Sequence, residues 1–288
     1  RGRLTCLVGD ARTVVAMRAR ELGRKSVVVG DRVGLVGDLS GREGSLARVV
    51  RIEQRSTVLR RTADDDDPVE RVVVAHAEQM VIVTSVADPP PRPRLIDRCL
   101  VAAFDAGLDP LLAVTKVDLA DPSDLLSIYD PLGVPTVTSR LGDDLRSLRR
   151  RLADRISVLV GHSGVGKSTL VNTLVPDAER ATGAVNVVTG RGRHTSTNVV
   201  ALRLADGGWV IDTPGIRSFG LAHVDPKRMI HAFPDLEAQT TECPRGCTHG
   251  DSEPECALDD AVAAERLDPA RVASFRRLLA SRERQPGD

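Results

Sequence analysis

The feature that most limits what this chain can become is the run Ile156-Ser157-Val158-Leu159-Val160, followed by Gly161-His162-Ser163-Gly164-Val165-Gly166-Lys167-Ser168-Thr169. Four apolar residues, three of them β-branched, around a single serine read as a buried strand, and Lys167 onward reads as a helix. The turn between them fits G-x-x-x-x-G-K-[ST], the phosphate-binding P-loop. Glycines let successive amides face one point, and the helix adds the positive end of its dipole. Lys167 is placed to reach the outer phosphates of a nucleotide, and the Ser168 hydroxyl to ligate a magnesium ion. A strand–turn–helix of this kind demands an α/β sheet around it.

The flanking chain supplies one. Apolar strand-like runs at 79–86, 110–114 and 134–138 precede the turn, with helical spacing at 95–106 and 141–154 between them. Two more strand candidates, 198–204 and 208–211, follow it. Such alternation predicts a mostly parallel sheet with helices on both faces. In open sheets of this type ligands bind at the carboxyl ends of strands. Two further motifs occupy such ends. Thr115-Lys116-Val117-Asp118 resembles the guanine-recognition element Asn-Lys-x-Asp, with the Asp118 carboxylate placed to accept from N1–H and the 2-amino group. Ser139 is a further base-contact candidate. Asp212-Thr213-Pro214-Gly215 resembles the GTPase motif in which the aspartate holds magnesium through water and the glycine amide meets the γ-phosphate.

Residues 1–61 carry 14 Lys/Arg against 6 Asp/Glu, a local net of +8, although the whole chain is neutral. Strand-like runs at 27–36 and 47–52, punctuated by Gly37, Gly41 and Gly44, predict a small β-barrel. The local charge points to a polyanion, most plausibly RNA. No Phe, Tyr or Trp precedes Phe104, so this region is expected to use charge and shape rather than base stacking. The run Asp64–Asp67 before Pro68 reads as a linker.

The five cysteines are an odd number, three of them clustered, which argues for a metal site in a reducing compartment rather than a disulfide framework. Cys243-x3-Cys247-x-His249-x6-Cys256 offers three thiolates and an imidazole, a closed tetrahedral Zn²⁺ set with a structural role. No apolar run is long enough to span a membrane, and no signal-peptide segment opens the sequence.

The motif order is unusual: the guanine element precedes the P-loop, and Asp212–Gly215 comes last. In this order the residues Gly161–Thr169, Gly190–Thr197, Asp212–Gly215 and the cysteine cluster resemble the circularly permuted GTPase family that matures the bacterial small ribosomal subunit, and the likeness runs over nearly the whole chain. It implies an oligonucleotide-binding (OB) barrel at 1–67, a permuted GTPase domain at 68–221 and a helical zinc domain at 222–288. It further implies a cytoplasmic, monomeric GTPase that binds GTP and GDP with Mg²⁺, and the 30S subunit through its 16S rRNA. His194 would orient the attacking water, because Ile216 occupies the place where other GTPases carry glutamine. One of Thr195–Thr197, with Thr195 first, would join Ser168 and Asp212 around magnesium. The main alternative is a nucleotide-controlled RNA-binding switch with incidental hydrolysis. An ATP-driven RNA enzyme is a weaker rival, raised by Thr115 in place of asparagine.

Overall fold

The computed structural model describes residues 3–9, 12–23, 26–62, 70–176, 199–213, 221 and 223–281. Its first unit is a four-stranded sheet of β1 (Arg3–Val8), β2 (Arg12–Arg18), β3 (Val33–Gly37) and β4 (Ala47–Ile52), in the order β1-β2-β4-β3. Strict alternation along β2 and β4 sends Val14, Ala16, Ala47 and Val49 inward to a small core of their own. Val15, Met17 and Val50 face outward between arginines. This is the barrel-like OB unit expected. Strands β1 and β2 were not anticipated, because arginine and threonine on the outer positions hide their period. The expected strand at 27–36 shortens to β3, and Val29 instead bridges to Val74.

Strands β5 (Val58–Arg61) and β6 (Arg71–Ala75) form a ribbon that pairs across the acidic run. Leu59 of that ribbon is buried in the next core, so residues before 67 already belong to two packing environments.

The second unit is a six-stranded sheet in the order β11-β12-β10-β7-β8-β9. Its strands are β7 (Gln79–Ser85), β8 (Asp109–Thr115), β9 (Thr136–Thr138), β10 (Ile156–Val160), β11 (Val200–Arg203) and β12 (Trp209–Asp212). All neighbours are parallel except β11 on β12. Both faces are covered, which is why these strands read as continuous apolar runs. Met80, Ile82, Leu112, Val114, Val158 and Val160 point to one face, under α1 (Pro93–Asp105) and the C-terminal helices. Val81, Val83, Leu111, Ala113 and Leu159 point to the other, under α3 (Arg146–Leu152) and α4 (Lys167–Leu174). Between β8 and β9 lies α2 (Ser123–Tyr129). The expected helix at 141–154 begins only at Arg146, because Asp143 accepts from the Arg140 amide at 2.8 Å and holds the preceding residues in a turn.

The third unit has no strand among its described residues. Short helices at Pro226–Met229, Pro234–Glu237 and Ala257–Ala263 lead to a longer one, Pro269–Ser281. The last helix packs on α1. Arg277 lies 5.4 Å from the Tyr129 ring and donates to the Ile128 carbonyl and the Asp97 carboxylate, and Arg98 donates to the Ser281 carbonyl at 2.9 Å. Phe233 stacks edge-on with both Phe104 and Phe275, so one apolar core runs from the sheet into this unit.

Candidate nucleotide site and metal cluster

The carboxyl ends of β7, β8, β10 and β12 converge on one edge, and the loop after β10 occupies its centre. Gly161 is required there by contact: a Cβ would overlap the Val83 carbonyl of the neighbouring strand. Gly164 and Gly166 have φ of +87° and +88°, and they curl the chain into the N-terminus of α4. The backbone N–H groups of Ser163, Gly164, Val165, Gly166, Lys167 and Ser168 find no acceptor among the described residues. A cluster of free amides at a helix start is an anion cradle. Lys167 is largely buried and its ammonium contacts the Asp212 carboxylate, which brings the β12 motif to the cradle's rim. Thr213 fixes that rim by donating to the Leu159 carbonyl at 2.6 Å.

The tetrapeptide at the end of β8 approaches from the other side. The Thr115 hydroxyl donates to the Val165 carbonyl at 2.6 Å and is 3.2 Å from the Thr84 carbonyl, so it braces the phosphate loop. Lys116 adopts a φ of +60° and its ammonium contacts the Asp88 carbonyl. Val117 N–H donates to the Ser139 carbonyl at 3.3 Å, and Ser139 N–H to the Val114 carbonyl at 2.8 Å, which ties the loop after β9 to the one after β8. Asp118 therefore lies in a loop whose neighbouring residue, Val117, is hydrogen-bonded to the loop that carries Ser139. A cavity of about 260 Å³ opens beside Ser139, lined also by Thr138, Asp143, Asp144 and Arg146; it lies between the loop after β9 and α3, and neither Thr115–Asp118 nor the phosphate loop lines it.

His162 is 7% exposed, with Nδ1 3.0 Å from the Ser163 carbonyl. Burial lowers its pKa, and Arg92 adds to the effect. Thr169 lies in the first turn of α4. His194, Thr195, Ser196, Thr197, Gly215 and Ile216 lie outside the described residues.

Sequence reasoning missed the loop after β7. Pro89 packs 3.3 Å from the position a Gly164 Cβ would take, and its carbonyl accepts from Ser85 at 2.7 Å. The proline-rich stretch from Asp88 to Pro93 was legible only as a loop, although its position after a central strand was the available signal.

In the third unit, ligand atoms of Cys243, Cys247, His249 and Cys256 all lie within 4.8 Å of one another. His249 Nδ1 is 3.5, 3.4 and 3.8 Å from the sulfurs of Cys243, Cys247 and Cys256. Burial pushes the Cys243 thiol up and the Cys247 thiol up to about 11, and it lowers the His249 pKa, leaving a neutral imidazole. Around the cluster, Arg276 donates to the His249 carbonyl at 3.1 Å and grips Asp259 at 2.7 and 2.9 Å. Four convergent soft and borderline donors with a supported second layer fit a tetrahedral metal.

Sheet order, phosphate loop and a Thr-Lys-x-Asp loop that precedes it in the chain together define a circularly permuted GTPase of the P-loop class. The RsgA GTPase family model matches residues 52–222, and the chain belongs to that family. A curated relative from Chlorobaculum parvum, "Small ribosomal subunit biogenesis GTPase RsgA", is 38% identical over 280 residues, covering 94% of this chain and 90% of its own. Two crystal structures share the fold, each with a TM-score of 0.67 and 24% identity. YjeQ from Thermotoga maritima covers 97% of this chain and 94% of its own; YloQ, titled a circularly permuted GTPase, covers 98% and 91%.

Proposed function

We propose that this protein hydrolyses GTP in the maturation of the small ribosomal subunit, and that contact with the subunit stimulates turnover. The observation that carries the reading is the run of amides from Ser163 to Ser168, unpaired among the described residues, around Lys167, with Asp212 at its rim and the Thr115–Asp118 loop braced against it. The amides and Lys167 bind the phosphates and stabilise charge as it develops. Asp118 selects guanine, since adenine offers it no amino group. Thr115 acts on the phosphate loop and leaves base selection to Asp118 and the Ser139 loop. Ser168, Asp212 and Thr195 hold a magnesium ion, which neutralises charge on the transferring phosphoryl group. His194 orients the attacking water in place of the usual glutamine. Gly215 meets the γ-phosphate through its amide.

Cys243, Cys247, His249 and Cys256 hold one structural zinc ion and leave no position for catalysis. Residues 1–67, with their excess of arginine, and the zinc unit at 222–288 grip 16S rRNA of the 30S subunit; residues 68–221 carry the nucleotide. The protein acts as a cytoplasmic monomer. Among the described residues no helix is long and apolar enough to cross a membrane.

GTP turnover is to be measured for the protein alone, with small subunits and with large subunits. Strong stimulation by small subunits only is the expected result. Equal slow turnover in all three would favour the second reading, an RNA-binding switch governed by nucleotide occupancy, which Ile216 supports because an aliphatic side chain cannot orient water.

A further inference from the structure

We propose that His162 is a positioning residue: by holding the carbonyl of Ser163 it sets the phosphate loop in its anion-binding form. The inference deepens the nucleotide reading above and rests on it.

The contact is 3.0 Å from imidazole Nδ1 to the Ser163 carbonyl oxygen. A carbonyl has no proton to give, so Nδ1 carries it and Nε2 is left with a lone pair. The peptide unit joining Ser163 to Gly164 is planar and trans, which makes its C=O and N–H point in opposite directions. Fixing the oxygen on the imidazole therefore aims the Gly164 N–H away from His162, to the side where it meets no acceptor among the described residues. Flipping this one peptide would put a carbonyl oxygen where an anion must sit. Glycine at 164, already at φ +87°, tolerates such a flip at little cost, so the backbone alone does not prevent it.

The rest of the ring argues against simple space filling. Nε2 is enclosed and has no hydrogen-bond partner among the described residues. A leucine would fill the same volume without stranding a polar nitrogen. What separates histidine from leucine here is the one paired atom, Nδ1. Burial keeps the ring neutral, as this tautomer requires.

The test is calorimetric affinity of the full chain for GDP and inosine diphosphate, in the wild type, His162→Leu, His162→Asn and His162→Gln. Asparagine carries an N–H at the level of Nδ1; glutamine carries its N–H one atom further out, near Nε2. His162→Leu is expected to bind about tenfold more weakly, the size of one hydrogen bond. The loss should be equal for both nucleotides, because the base is not involved. His162→Asn should recover most of it, while His162→Gln should not. GDP binding by His162→Leu at the wild-type level, or equal affinities of the Asn and Gln variants, would overturn the proposal and leave the nucleotide reading intact. Should the Leu variant not fold, the comparison of Asn with Gln still decides. A wild type that binds no GDP would remove both.

Discussion

The hydroxyl of Thr115 donates to the carbonyl of Val165 across 2.6 Å, joining the end of β8 to the phosphate loop after β10. A position that sequence alone assigns to base recognition thus does its visible work on the phosphate side. Thr115→Val keeps the shape and removes the donor. A buried carbonyl left unpaired costs about 1–3 kcal/mol. The variant should bind GDP roughly tenfold more weakly in calorimetry, with its preference for GDP over ADP unchanged. A collapse of that preference would instead put Thr115 on the base.

Lys167 and Asp212 form an ion pair. Lys167→Ala removes the cradle's only cation among these residues and should weaken GDP binding on the order of a hundredfold, the scale of deleting one member of a buried charge pair. Circular dichroism should show an unchanged fold.

Metal uptake should depend on pH in a defined direction. Burial raises the Cys243 and Cys247 thiols, Cys247 to about 11, so both are protonated at neutral pH without metal. Thiolate is the ligating form, and binding must release those protons. Zinc affinity should therefore rise with pH, and a pH-indicator dye should register acidification on zinc addition. Chelation should lower the melting temperature, because residues 240–255 bury no apolar side chain of their own.

Asp97 provides a second pH signature. Its side chain is 5% exposed, and desolvation raises its pKa despite Arg277. A folded-state pKa above the unfolded value gives stability that is full below the unfolded pKa and is lost as pH rises through the folded one. Urea midpoints of Asp97→Asn should lack this loss when followed from acid to neutral pH. Arg277→Leu strands the carboxylate and should cost roughly 2 kcal/mol, less than a fully buried pair because Arg277 is 35% exposed.

Much of the site was legible because its chemistry is local. Ile156–Thr169 carries strand, turn and helix start in consecutive residues, and Cys243–Cys256 carries four convergent donors within one short segment. Thr115 was the misleading case: its bond to Val165 spans fifty positions of sequence, and no local pattern encodes it. The same limit hid β1, β2, β5 and β6. Their arginines and threonines are solvated on one face, and only pairing partners found in the fold make them strands. The lock between Arg277 and Asp97 was likewise invisible, since neither residue type announces burial.

The permuted order has a mechanical consequence. β6 leads through three residues into β7, and β7 lies between β10 and β8, the strands that deliver the phosphate loop and the base loop. Gly30 presses so closely on Ala75 that no side chain fits between the barrel and this lead-in. A pull on the N-terminal unit is therefore passed through β6 and the short link at 76–78 into β7, in the middle of the six-stranded sheet, where it is shared as shear by the ladders on both sides. In a chain that began at the phosphate loop, the same pull would reach only the strand at the sequence's start; here whatever grips the barrel also holds the strand on which both halves of the site are hung.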